Sequence, residues 1–281
     1  MGWNGRAGIA AALSAVSVAR PMREPWPATP WAWAWAGLAL GVLLALVLFA
    51  PARWLAAGVG RASGGLVLLD DASGTIWNGS ARLLLAGGAG SNDVAALPGR
   101  VDWRLRPAWG GINAELQADC CMAQPLPLRG RLRWGGGELR VGDQRSQWPA
   151  SVLAGLGTPW NTLQVDGDLL LATRGLSVEW IEGRLTVAGR AELTASRLSS
   201  RLSTLKPMGS YRLTLNGGSS STLQLDTLEG ALLLTGSGQW VGSRLRFSGT
   251  ASAAPDREAA LANLLNIIGR RSGARSIITI G

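Results

Sequence analysis

The sequence predicts a mainly β protein: an N-terminal transmembrane helix followed by a curved, largely antiparallel β-sheet domain with a few short helices. Three observations carry this reading. Residues 31–50, WAWAWAGLALGVLLALVLFA, hold no charge. From residue 65 onward apolar and polar residues alternate with period two, the mark of strands with one dry and one wet face. Helical spacing is confined to a few short runs.

The composition permits a large core. The 281-residue chain is 47% hydrophobic and only 16% charged, below the usual quarter. Lys206 is the one lysine, so nearly every cation is arginine, and 14 Trp stand against 2 Phe and 1 Tyr. Heavy use of Gly, Ala, Arg, Trp and Pro follows from codon bias in a GC-rich genome and is not read as function. The net charge of +9 is partly local, since Arg6, Arg20, Arg23 and Arg53 flank the apolar run against Glu24 alone. Apart from the adjacent Arg270 and Arg271, the other arginines are spread singly, most of them along the strands. Nucleic-acid binding favours a clustered basic face or a known motif, and neither is present, so no nucleic-acid partner is expected.

The uncharged run is the first element. At about 1.5 Å per residue it spans roughly 30 Å, the thickness of a bilayer's hydrocarbon core. Pro30 and Pro51 bracket it, and Trp31, Trp33 and Trp35 gather at one end, where indoles favour the headgroup region. Arg20 and Arg23 precede it, so the positive-inside rule puts the N-terminus in the cytoplasm of a bacterium and everything after residue 53 in the periplasm. The competing reading is a cleaved signal peptide, because Ala50-Pro51-Ala52 resembles an A-x-A site. The apolar run is too long for a usual h-region and the segment before it too extended, which favours an uncleaved anchor in the inner membrane. The expected organisation is a cytoplasmic tail over 1–30, a transmembrane helix over 31–50, a linker over 51–64 and a periplasmic β-rich domain over 65–281.

The strands follow. In Arg100–Arg106, Val101, Trp103 and Leu105 share one face and all the charges the other. Arg131–Trp134, Tyr211–Leu215 and Ser243–Phe247 repeat the pattern, and Leu163, Val165, Leu169 and Leu171 form another apolar face across Gly167. A glycine followed by alternating apolar residues recurs at Gly79, Gly99, Gly130, Gly167, Gly183, Gly189 and Gly230, at irregular spacing that rules out a strict solenoid. The turn spacing predicts roughly ten to twelve strands. Trp77, Trp103 and Trp134 are expected to point into the core.

Three helices are expected. Pro149–Leu156 allows two turns with Pro at the first position. Ser196–Leu205 places Leu198, Leu202 and Leu205 on one side and stops before Pro207. Pro255–Ile268 carries Leu261, Leu264, Leu265 and Ile268 at helical spacing, with Gly269 as a stop. So short a helix needs a surface for its stripe, and the concave face of the sheet is the available one. It is expected to plug one end of that sheet, with Ser276–Ile280 added as an edge strand; a free docking helix is the alternative. Three short helices cover little, so the sheet must curl as a sandwich, a barrel or a trough.

The residues for chemistry are missing or poorly set. With no histidine, His-based triads and the commonest metal ligand and general base are excluded. No GxSxG elbow, Walker A loop or GxGxxG after a strand occurs. Acid pairs exist at Asp70-Asp71, Asp166 with Asp168, and Glu179 with Glu182; Asp166 and Asp168 would share one side of a strand, in a setting that fits a solvated sheet face. Cys120 and Cys121 are adjacent and lack CxxC spacing, which leaves either an incidental pair of buried thiols, the favoured reading, or an unusual vicinal disulfide. The expectation is no enzyme, with no catalytic, cofactor-binding or metal site and no cofactor.

Residues 74–85, GTIWNGSARLLL, resemble the signature near the start of the periplasmic region in the type II secretion system protein N family, with Gly74, Thr75, Trp77, Gly79 and Ala81 in the motif positions. As plain structure the Trp77 turn reads as a hairpin with an aromatic core plug. Leu97-Pro98-Gly99 before Trp103, Leu156-Gly157-Thr158-Pro159 before Leu163, and the closing stretch from Gly249 through Leu264, Leu265 and Gly269 to Ile278 extend the resemblance over about residues 30–281. It implies an accessory inner-membrane component of the machine that exports folded periplasmic proteins, with other inner-membrane components of that machine as partners, the bilayer contacted through residues 31–50, and no catalytic residues. The tail is also similar to AsmA-like envelope proteins, which implies as the alternative a lipid held or transferred in an apolar groove.

Overall fold

The computed structural model describes residues 31–281 apart from Ala89, Gly183 and Ser243. The expected cytoplasmic tail, 1–30, therefore lies outside the described residues. Two units are distinguished, one ending at Leu44 and one running from Ala45 to Gly281. The uncharged run forms helix α1, Trp31–Leu48, with no buried residue and with the length and apolar character needed to cross a membrane.

In the second unit a helix replaces the expected linker. Helix α2, Ala52–Ala62, packs on the first strand. Gly58 and Gly60 weaken its intrinsic propensity, which is why the sequence reads as a connection. Docking supplies the difference: Ala52, Leu55, Ala56 and Val59 turn inward, and Ala52 is buried with Ala81 and Trp103.

Sixteen strands follow among the described residues, more than the ten to twelve that the turn spacing predicts; two of them, over 94–96 and 270–272, are only three residues long. They are β1 Val67–Gly74, β2 Asn78–Ala86, β3 Val94–Ala96, β4 Val101–Ala108, β5 Gly111–Ala118, β6 Leu126–Arg133, β7 Gly136–Val141, β8 Gln144–Pro149, β9 Val165–Ile181, β10 Arg184–Ser200, β11 Gly209–Asn216, β12 Thr222–Gly230, β13 Leu232–Val241, β14 Arg244–Ala253, β15 Arg270–Ser272 and β16 Arg275–Ile280. All pairs are antiparallel in one open sheet of order β1-β2-β4-β5-β6-β7-β9-β10-β11-β12-β13-β14-β16-β15, with β3 added on β2 and β8 on β9. Strand β9 is shared along its length: β7 pairs with residues 177–181 and β8 with residues 168–173. The last expected strand is present, but it lies one position inside the edge, which is formed by β15.

Besides α2, the helices depart from expectation at Trp160–Leu163, a helix not among those expected, and at 196–205, where no helix forms. Ala150–Leu156 is a 3-10 helix, and α3, Trp160–Leu163, follows it. Residues 196–200 are not helical: they complete β10, pairing with β9 at Ser199–Asp166 and Ser200–Val165 after an irregularity at Arg197. Ladder hydrogen bonds to a long neighbour override the helical spacing of the leucines. Leu198, Leu202 and Leu205 still reach the core, from a strand end and the turns after it.

Helix α4, Glu258–Ile268, buries Leu261, Leu264 and Leu265 against Leu169, Tyr211, Leu232 and Ala251 in the largest apolar cluster. Each such leucine contributes about 1.5–3 kcal/mol by leaving water. Tyr211 lies in the same cluster; its hydroxyl donates to the Leu232 carbonyl at 3.0 Å, and burial raises its pKa beyond the ordinary phenol range.

Of the three tryptophans expected inside, Trp103 is buried, Trp77 is partly buried, and Trp134 is fully exposed at 106%. The β6–β7 turn explains the last: β5 ends opposite Arg131, so Leu132, Arg133 and Trp134 extend past it with nothing beneath. Alternation predicts faces correctly; whether anything covers a face is set by the length of neighbouring strands.

Candidate functional site

The residues of the GTIWNG stretch converge on one corner, where the end of α1 meets the sheet. Gly74 takes a positive φ of 87° and closes the β1–β2 turn. The Thr75 hydroxyl accepts from the Asn78 amide at 3.1 Å. The Trp77 indole N–H donates to the carbonyl of Val47 at 2.7 Å, satisfying one of the carbonyls that a helix end leaves free. The Ile76 amide donates to Ala50 at 2.9 Å, and Pro51 bridges to Thr75. Trp77 is thus a clasp on the end of α1; the core plug is Trp103, whose N–H donates to Ile76 O at 3.1 Å. Gly79 lies beneath it: a Cβ there would stand 2.7 Å from the Trp103 ring and 2.6 Å from Ser73 O. Ala81, two residues on, is wholly buried.

The outer side of this corner is polar and paired. Arg100 reaches Asp71 Oδ2 at 2.8 Å and the Asp71 carbonyl at 2.7 Å, with Arg82 at 3.7 Å from Asp70. The Arg100 hydrogen bond, then its charge, hold the Asp71 carboxyl below the usual carboxylate range.

The other acid pairs are not brought together for chemistry. Gly167, at φ 139°, separates Asp166 from Asp168, and the two line different hollows. Asp166 accepts from the amide of Gly167 at 3.0 Å; Asp168 accepts from Gln147 at 3.2 Å and Arg197 at 3.0 Å, which lower its pKa. Glu179 faces Arg133 at 3.7 Å, and Glu182 sits in the β9–β10 turn at φ 49°. Arg140, by hydrogen bond and then charge, holds the buried Glu138 carboxyl low against the opposing effect of burial. Among the described residues no three His, Cys, Asp or Glu side chains group as metal ligands.

Two further features bear on function. Cys120 and Cys121 form a vicinal disulfide, against the favoured expectation of free thiols. It sits in the β5–β6 turn, with Cys121 buried among Leu97, Val101, Ala118 and Val152 and its carbonyl accepting from Gln147 at 2.9 Å. A hollow at one end of β12, β13, β14 and β16 is lined by Gln224, Gln239, Arg246 and Ser248 as well as Leu223 and Phe247, a mixed lining rather than an apolar groove.

The model of the family described as type II secretion system (T2SS), protein N matches residues 65–278, from the turn before β1 to within β16. The chain belongs to that family. The match takes in the GTIWNG stretch, nearly the whole sheet and α4, so the protein N assignment covers the fold and not one motif. Neither a curated protein nor a solved structure matches the chain. A role in type II secretion follows from the family, and α1 adds a helix suited to membrane anchoring.

Proposed function

We propose that this protein is an accessory inner-membrane component of the type II secretion machine that acts by contact with other inner-membrane components and performs no catalysis. The observation that carries the proposal is the protein N family match over nearly the whole sheet domain. In this reading α1 is an uncleaved single-pass anchor, the N-terminus is cytoplasmic and the sheet is periplasmic. Arg20 and Arg23 before α1 support that orientation. The engagement of each acidic pair by arginines, backbone or turn supports a non-catalytic role, since none is left poised in a shared hollow.

A clean deletion in the source bacterium tests this. The expected outcome is folded exoproteins retained in the periplasm, outer-membrane lipid asymmetry intact, and rescue by the full chain. Normal secretion with lost lipid asymmetry overturns the proposal in favour of a lipid-handling, AsmA-like role.

A further inference from the structure

The segment expected to be a linker between membrane and sheet, 51–64, holds helix α2, which has a packed side and an exposed one. Its inward side, Ala52, Leu55, Ala56 and Val59, packs on β1 and β2. Its outward side presents Trp54, Ala57, Gly58 and Arg61 at helical spacing, with Arg53 beside them, and all five are exposed. Trp54 is 53% exposed, and neither Arg53 nor Arg61 has a carboxylate partner among the described residues. An indole flanked by unpaired arginines is poorly explained by water alone. It is the composition that settles at a bilayer interface, where the ring sits at the headgroups and guanidinium groups meet anionic phosphates.

The connection to α1 says which surface is near. Only Phe49–Pro51 separate the two helices, and that join is fixed: Ala50 is buried, Ile76 bonds its carbonyl, Pro51 bridges to Thr75, and Trp77 bonds Val47. The residues from Ala45 belong to the same unit as α2 and the sheet. Whatever surface α1 emerges from is therefore within a few residues of α2 in the chain.

We propose that the outward face of α2 lies on the anionic phospholipid headgroups of the membrane that α1 enters, Trp54 in the interface and Arg53 and Arg61 on phosphates, so that the sheet is clamped to the bilayer rather than tethered to it. This rests on the reading of α1 as an uncleaved anchor.

The test uses the full chain in lipid discs of phosphatidylcholine and phosphatidylglycerol, with an environment-sensitive dye on single cysteines. Cys120 and Cys121, being tied to each other, stay unlabelled. Gly58→Cys and Gly41→Cys are at open positions, and Arg271→Cys is on the exposed strand at the opposite sheet edge. With a nitroxide on the lipid headgroup, the dye at 58 should lose roughly half its emission, since interfacial groups lie within about 10 Å of the headgroup boundary, while the dye at 271 is unaffected. With a nitroxide on the acyl chain, the dye at 41 should be quenched. Quenching at 41 with none at 58 overturns the α2 proposal alone. No quenching at 41 overturns the anchor reading and the proposal with it. In an Arg53→Gln/Arg61→Gln background the loss at 58 should shrink towards its value in discs of phosphatidylcholine alone; an unchanged loss removes the arginines from the contact.

Discussion

Trp103 and Trp134 separate what a residue is from where it stands. Both belong to alternating runs, yet Trp103, in the middle of its run, is buried on Gly79, and Trp134, at the end of its run, is bare. Trp103→Ala should cost about 3–5 kcal/mol in chemical denaturation, as for a fully buried aromatic, whereas Trp134→Ala should change stability by less than about 0.5 kcal/mol, as surface substitutions do. Gly79→Ala should also destabilise, because the added methyl must displace Trp103 or the β1–β2 turn. The Asp71–Arg100 pair makes a pH prediction. A lowered carboxylate pKa stabilises the folded state above the ordinary value and loses that effect as pH falls through the lowered one. Arg100→Ala should therefore move the Asp71 titration, followed by carboxyl carbon NMR, up to the ordinary range; an unmoved titration would exclude Arg100 as the cause.

Among the elements, α4 was legible in advance because its stripe is strict and its stop clear, and the structure buries the three leucines that the spacing selects. Leu264→Ala should cost about 2–5 kcal/mol by leaving a cavity in the largest core cluster. Limited proteolysis of the full chain should spare 258–268 while the sheet is folded; early cleavage there would mean that the stripe is not held. Helix α2 and the end of β10 were illegible for a shared reason. Each is decided by partners outside its own segment, β1 with Ala81 and Trp103 for α2 and β9 for residues 199–200, against a local signal of the opposite sign. The GTIWNG stretch was legible as a motif but not as a clasp, since nothing in its own sequence names Val47 as the acceptor for Trp77.

For the molecule as a whole, period-two alternation foretold one antiparallel sheet, but not that it stays open between β1 and β15. Openness depends on strand stagger and on what is laid over the sheet, and neither is written in any single strand. The α1 reading has its own check: Edman sequencing or intact mass of the membrane-extracted protein should find residues 31–50 retained. A mature chain that begins at Arg53 would make α1 a leader.

Nearly every strand of this sheet lies beside its neighbour in sequence. The arrangement in space is therefore also a schedule. As the chain appears residue by residue, most new strands meet a partner already waiting, while β8 and β15 wait for the strand that follows them, so closure loops stay short and the sheet can grow by zipping from β1 onward. Helix α4 likewise appears before the strand that completes its berth: Ser276 of β16 is wholly buried and its hydroxyl donates to the carbonyl of Leu265 at 2.6 Å. Until β16 arrives, the leucine stripe has only β14 and the earlier core to rest on, and an incompletely synthesised chain carries its stickiest helix half-sheltered. A chain stopped after Gly269 should therefore keep the β1–β9 half protected in hydrogen exchange while α4 loses protection, and it should aggregate where the full chain does not.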